Sequence, residues 1–196
     1  MFLAMELVFH KVMLNSPVIV IGPPRSGTTI TAKVLQHWLG IAMDSMPMRP
    51  DKVINPHGWY EDMRLVRMNS LFLDGTINLR AWRRRFRTYI RQMKKQNRPW
   101  GFKDPRIIPM LGHALTYFES PTLVRCCRPK ELVVESMMGK LGWTEEVAKK
   151  RYEADNKQLD WIIGNRPHFR LDFGEYITEE EILEFFKGAM VLRYGT

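Results

Sequence analysis

Pro17-Val-Ile-Val-Ile21-Gly22-Pro-Pro-Arg-Ser-Gly27-Thr-Thr29 is the stretch that decides the fold. Val18 to Ile21 is a short run of β-branched apolar residues without alternation, the pattern of a strand covered on both faces. Gly22 to Gly27 is a Gly/Pro turn. From Thr28 onward Ile30, Val34, Leu35, Trp38 and Leu39 recur at helical spacing until Gly40, a C-terminal stop. The unit is strand, glycine-rich loop, helix.

Outward from this unit, strands and helices alternate. Leu79, Trp82, Phe86, Tyr89, Ile90 and Met93 form a helical stripe, and Arg80, Arg83, Arg84, Arg85, Arg87, Arg91, Lys94 and Lys95 fill the other faces of that helix. Trp100 to Asp104 reads as a short strand that Pro105 ends, followed by a helix from Ile107 to Phe118. Pro121 to Cys127 is a second buried strand, and Pro129 opens a helix carrying Leu132, Val133, Met137 and Leu141. Thr144 caps a long helix to about Ile163, and His168 to Phe173 is a last strand before a helix from Thr178. This alternation predicts a P-loop-like three-layer α/β/α fold around a central parallel sheet, with active loops at the C-terminal ends of the strands. The Pro/Gly-broken segments Met46 to Pro50 and Asn55 to Asp62 are expected to be loops at the surface or over a site. At 196 residues, without an internal repeat or linker, the chain is expected to be one domain spanning 1–196.

Composition narrows the class. With 45% hydrophobic and 26% charged residues, disordered, collagen-like and coiled-coil readings are excluded. No apolar run approaches the ~20 residues of a membrane-spanning helix. The N-terminus lacks a positive region and carries Glu6, which argues against a secretory signal, and it is expected to pack as a helix or edge strand. Cys126 and Cys127 are adjacent, a spacing that disfavours a mutual disulfide and fits no metal-ligand pattern, so a cytoplasmic setting and no metal are expected. A net charge of +9 points to anionic partners.

The turn places backbone N–H groups and a helix N-terminus around an anion site. Its spacing resembles a Walker A loop, but Thr28 stands where that motif carries its phosphate-neutralising Lys, so ATP or GTP hydrolysis is disfavoured. The cation has moved to Arg25, with Ser26, Gly27, Thr28 and Thr29 as further anion-binding candidates.

Pro24-Arg-Ser-Gly-Thr-Thr29 resembles the 5′-phosphosulfate loop of the bacterial and Golgi-like sulfotransferases. Arg128 at a strand end with Ser136 eight positions later resembles the 3′-phosphate signature of the same family. Gly101-Phe-Lys-Asp-Pro-Arg106 resembles its K-D-P-R stretch, and Asn55-Pro-His-Gly-Trp-Tyr-Glu61 its N-P-x-G-[FY]-x-E stretch. The resemblance spans roughly residues 17 to 176. The family's Arg-Lys-Gly loop near the C-terminus has only Phe186-Lys-Gly188 as a counterpart. The resemblance implies a donor, 3′-phosphoadenosine 5′-phosphosulfate (PAPS), held by the loop together with Arg128 and Ser136. It also implies Lys103 facing the sulfuryl group and Glu61 as the base.

Sulfuryl transfer needs an in-line acceptor, a base and cations at the leaving oxygen. Glu61, His57 and a residue elsewhere are the alternatives for the base. The acceptor is expected to be a small molecule or a glycan. The basic helix is read as a solvated face or the dock of an acidic acceptor, with nucleic acid the least of its three readings. The alternative function is a P-loop nucleotide kinase-like protein, or a binder of nucleic acid or acidic polymer.

Overall fold

A computed structural model describes residues 16–48, 58–164, 166–175 and 178–194. His57, Tyr176 and the N-terminal segment read as a helix or edge strand lie outside the described residues. The strands are β1 (Val18–Ile21), β2 (Gly101–Lys103), β3 (Thr122–Cys127) and β4 (Phe169–Asp172). The α-helices are α1 (Thr28–His37), α2 (Met63–Leu73), α3 (Leu79–Lys94), α4 (Leu111–Leu115), α5 (Lys130–Leu141), α6 (Glu145–Ile163) and α7 (Glu179–Tyr194). A 3-10 turn, Pro105–Met110, precedes α4.

The four strands form one sheet in the order β2-β1-β3-β4, every pair parallel. The apolar runs that lack alternation are buried on both faces, as expected of a parallel sheet covered by helices. Ile19, Ile21, Phe102 and Leu123 face a core closed by Trp82, Phe86, Tyr89 and Met93 of α3 and by Leu159 and Ile163 of α6. On the opposite face Val18, Val20, Val124 and Cys126 meet Ala32, Val34 and Leu35 of α1 and Ile182 and Phe186 of α7. This is the α/β/α sandwich that the alternation implies.

Three local differences have physical causes. Residues 63–73, for which no element is predicted from the sequence, form α2, whose N-terminus is fixed by Asp62 accepting a hydrogen bond from the Arg64 amide. Pro109 removes a donor inside the segment read as a helix from Ile107, which therefore opens as the 3-10 turn before α4. Pro129 stands at the N-cap of α5 rather than at its first helical position. Thr144 caps α6 as read, accepting from the Val147 amide. Both cysteines are free; burial pushes the Cys126 thiol up to about 12, and its sulfur sits 3.3 Å from Thr31 Oγ1.

Phe86 is the hub of the larger core. Its ring stacks on Trp82 at 4.8 Å and meets Phe102 and Tyr117 edge-on at 5.9 and 5.5 Å. Phe86→Ala should cost about 3–5 kcal/mol in urea unfolding, while Trp161→Ala at a largely exposed position should stay within ~0.5 kcal/mol.

Candidate functional site

The loop after β1 closes tightly against β3. A Cβ on Gly22 would stand 2.4 Å from Ser26 Oγ and 2.7 Å from the Cys126 carbonyl oxygen, so the chain admits no side chain there. Arg25 and Gly27 take the left-handed region, with φ of 69° and 94°. The turn ends at the first amides of α1, which have no intrahelical partner, an arrangement suited to an anion. Ser26 Oγ donates to the Pro23 carbonyl at 2.7 Å and is fully buried. In this structure its hydroxyl proton is engaged within the loop.

Two sequence signatures far apart in the chain meet here. Arg25 Nε donates to Ser136 Oγ at 2.9 Å across 111 residues. Arg128 Nη1 donates to the Arg25 carbonyl at 3.4 Å, and Arg128 Nη2 to the Glu175 carbonyl at 3.2 Å. Arg128 Nε is buried without a partner. Burial and the nearby Arg128 charge lower the Arg25 pKa. No described carboxylate pairs with either guanidinium, so an anion bound between them would relieve both the repulsion and the orphaned donor. Beside Arg128 a cleft of about 450 Å³, lined by Arg125, Cys127, Tyr152, Asn156 and Arg170, opens at the C-terminal ends of β3 and β4.

On the β2 side of the loop lies a buried charge cluster. Gly58 and Tyr60, at φ of 94° and 51°, turn the chain inward so that Glu61 is only 3% exposed. Lys103 Nζ, at the end of β2, donates to Glu61 Oε1 at 2.6 Å and to Thr29 Oγ1 at 3.0 Å. Arg106 donates to Glu61 Oε2, and through Nε to Asp104 Oδ1 at 2.7 Å. Asp104 Oδ2 accepts from Asn69 Nδ2 at 2.9 Å, and Asn69 Oδ1 accepts from Trp82 Nε1 at 2.9 Å. One polar chain thus runs from Thr29 on the anion loop through Glu61 to the core face of α3. Burial pushes the Glu61 carboxyl above its ordinary value against the pull of Lys103, and Asp104 adds to the push.

Glu61, Lys103 and Thr29 are therefore one group, and Arg25, Arg128 and Ser136 another, on either side of the loop. Asn69, Asp104 and Trp82 belong to the support of the first group and were not singled out from sequence. Lys187, in the weak counterpart of the Arg-Lys-Gly loop, lies within α7 and pairs with Glu184 at 2.6 Å.

No protein-family model matches the sequence, and no curated protein matches it significantly. Solved structures do. TT1252 from Thermus thermophilus is 16% identical, with a TM-score of 0.54 over 92% of this chain and 98% of that one. A sugar kinase from Janibacter sp. HTCC2649 is 14% identical, with a TM-score of 0.47 over 92% of this chain and 96% of that one. What the fold and the loop define is a P-loop-like α/β/α architecture with a glycine-rich turn after its first strand. Among the described residues no helix is long and apolar enough to cross a membrane.

Lys103→Met would leave a buried Glu61 with Arg106 alone. The variant should lose about 3–5 kcal/mol of stability at pH 7 in urea unfolding. Because the Glu61 pKa lies above the ordinary carboxylate value in the fold, and further above it without Lys103, the deficit should shrink as pH falls and Glu61 takes a proton. Glu61→Gln in the same background should recover most of it.

Proposed function

We propose that the protein is a nucleotide-dependent group transferase that moves a sulfuryl group from PAPS to a hydroxyl or amine acceptor. The observation that carries this reading is the 2.9 Å bond between Arg25 and Ser136, with Arg128 on the Arg25 carbonyl. It joins the loop suited to a 5′-phosphosulfate and the pair suited to a 3′-phosphate into one cationic pocket, which a bisphosphorylated nucleoside would span.

The chemistry follows from the group formed by Glu61, Lys103 and Thr29. An acceptor oxygen attacks sulfur in line, the bond from sulfur to the bridging phosphate oxygen breaks, and adenosine 3′,5′-bisphosphate leaves with that electron pair. The α1 amides and the Lys103 ammonium stabilise the charge that develops on the leaving oxygen. Glu61 takes the acceptor proton. Each of its oxygens already holds one cation and keeps a second lone-pair site for a hydroxyl. Its raised pKa brings it nearer the pH at which a base works well.

A second reading, phosphoryl transfer from a nucleoside triphosphate, is favoured by one observation. Lys103 reaches Thr29 at 3.0 Å and so brings to the loop the ammonium that Thr28 replaces within it.

Calorimetry distinguishes the two. Adenosine 3′,5′-bisphosphate should bind more tightly than ATP with magnesium, and Arg128→Ala should weaken it by about 1.5–3 kcal/mol. Tight binding of magnesium ATP with none of the bisphosphate would establish the second reading instead. With an acceptor in hand, Glu61→Gln should lower turnover by ~10²–10⁴-fold with bisphosphate affinity nearly unchanged. The acid limb of the pH profile should lie above the ordinary carboxylate range and vanish in that variant, because the protonated carboxyl cannot accept the acceptor proton.

A further inference from the structure

From Gly75 to Lys103 the chain carries ten Lys and Arg and not one Asp or Glu. Subtracting those ten leaves twenty Lys and Arg against 21 Asp and Glu in the remainder, so the net charge of +9 resides in this segment. The sequence does not reveal whether acids from elsewhere in the fold neutralise it. In the structure they do so only at Lys103, which pairs with Glu61. Arg80, Arg83, Arg84, Arg85, Arg87, Arg91, Lys94, Lys95 and Arg98 are all exposed, and none forms an ion pair among the described residues.

The face is rigid. Its helix α3 buries Trp82, Phe86, Tyr89, Ile90 and Met93 in the larger core, so it cannot roll. Two of its cations are fastened to the neighbouring layer. Arg83 bonds to His113 Nδ1 at 2.8 Å, and the Arg87 guanidinium lies over the Tyr117 ring at 5.6 Å. Arg80, Arg84, Arg85, Arg91, Lys94 and Lys95 have no side-chain partner among the described residues. At about 1.5 Å per residue the row from Arg80 to Arg91 covers about 16 Å, with a cation at every turn.

We infer that this face of α3 docks a nucleic-acid strand through its phosphate backbone. Charge complementarity selects a polyanion, and two further features select the kind. Between Leu79 and Arg98 no large apolar side chain is exposed, whereas a helix that lies on a membrane presents aromatic or aliphatic residues to the acyl boundary. Arginine outnumbers lysine seven to two on this face, and guanidinium both grips phosphate bidentately and stacks on bases. A sulfated glycan satisfies the first property and offers no π face for the second. Backbone contacts of this kind position without reading sequence. The surface is distinct from the Arg25, Arg128 and Ser136 pocket and does not depend on the chemistry proposed for it.

The test is fluorescence anisotropy of the whole protein with a labelled mixed-sequence 20-nucleotide single strand, its duplex, heparin, and vesicles containing 30% phosphatidylserine. Binding to the strand should be detectable at 50 mM salt and weaken along a steep log–log line, at about −0.7 per phosphate contact. Replacing Arg80, Arg84, Arg85 and Arg91 together by Gln should flatten that slope by roughly 3, whereas Lys at the same four positions should preserve it. Neither variant should change adenosine bisphosphate affinity or the helical circular dichroism, which separates this surface from the donor pocket. Absence of binding at 50 mM salt, or an unchanged slope in the Gln variant, would overturn the inference. So would heparin or vesicles binding at a salt concentration where both oligonucleotides are released.

Discussion

The carboxylate of Glu61, held between Lys103 and Arg106, is the constraint on which the site depends. A nearly buried charge is tolerated only when paired and fully hydrogen-bonded. Lys103 satisfies Oε1 from the end of β2, and Arg106 satisfies Oε2 from the turn that follows. Arg106 is itself fixed by Asp104, and Asp104 by Asn69 on α2. The loop, the second strand and two helices therefore cannot shift independently, because each would leave an uncompensated charge behind. The same pairing keeps an ammonium at the first turn of α1, where a bound anion would need it.

The anion loop achieves a related economy by backbone alone. Gly22 allows β1 to turn against the Cys126 carbonyl, and the left-handed Arg25 and Gly27 bring the N-terminus of α1 to the mouth of the turn. With the Ser26 hydroxyl committed to the loop, the cations that reach its neighbourhood come from elsewhere: Lys103 from β2 to Thr29, and Arg128 from the end of β3 to the Arg25 carbonyl. A parallel sheet makes this possible, since all its strands end on the same edge.

Charge is distributed unevenly in a way that serves two surfaces. The inner cations are few, buried or half-buried, and tied to specific oxygens, whereas those of α3 are many, solvated and mostly unpartnered among the described residues. Inner charges hold geometry in a low dielectric; outer charges attract at a distance and are screened by salt.

Much of the fold was legible along the chain. The unalternating run Val18 to Ile21, the glycine-rich turn and the strand–helix alternation determine a parallel α/β/α sheet, because a strand covered on both faces admits little but apolar residues. The stripe from Leu79 to Met93 likewise gave α3 and its buried face. Helix α2 was hidden by the Pro- and Gly-broken stretch before it; its start depends on Asp62, whose capping role needs the Arg64 amide and is strengthened by Ser45 from another segment. Arg25, Arg128, Ser136, Glu61 and Lys103 became candidates through short motifs that resemble those of the sulfotransferases. Their assembly into two groups, the loss of the Ser26 hydroxyl to the loop, and the support of Glu61 by Asn69 and Asp104 were decided only by tertiary structure. Hydrogen bonds between residues 35 to 111 positions apart leave no periodic mark on the sequence, because a polar side chain's partner is set by the register of strands and the docking of helices rather than by its neighbours in the chain.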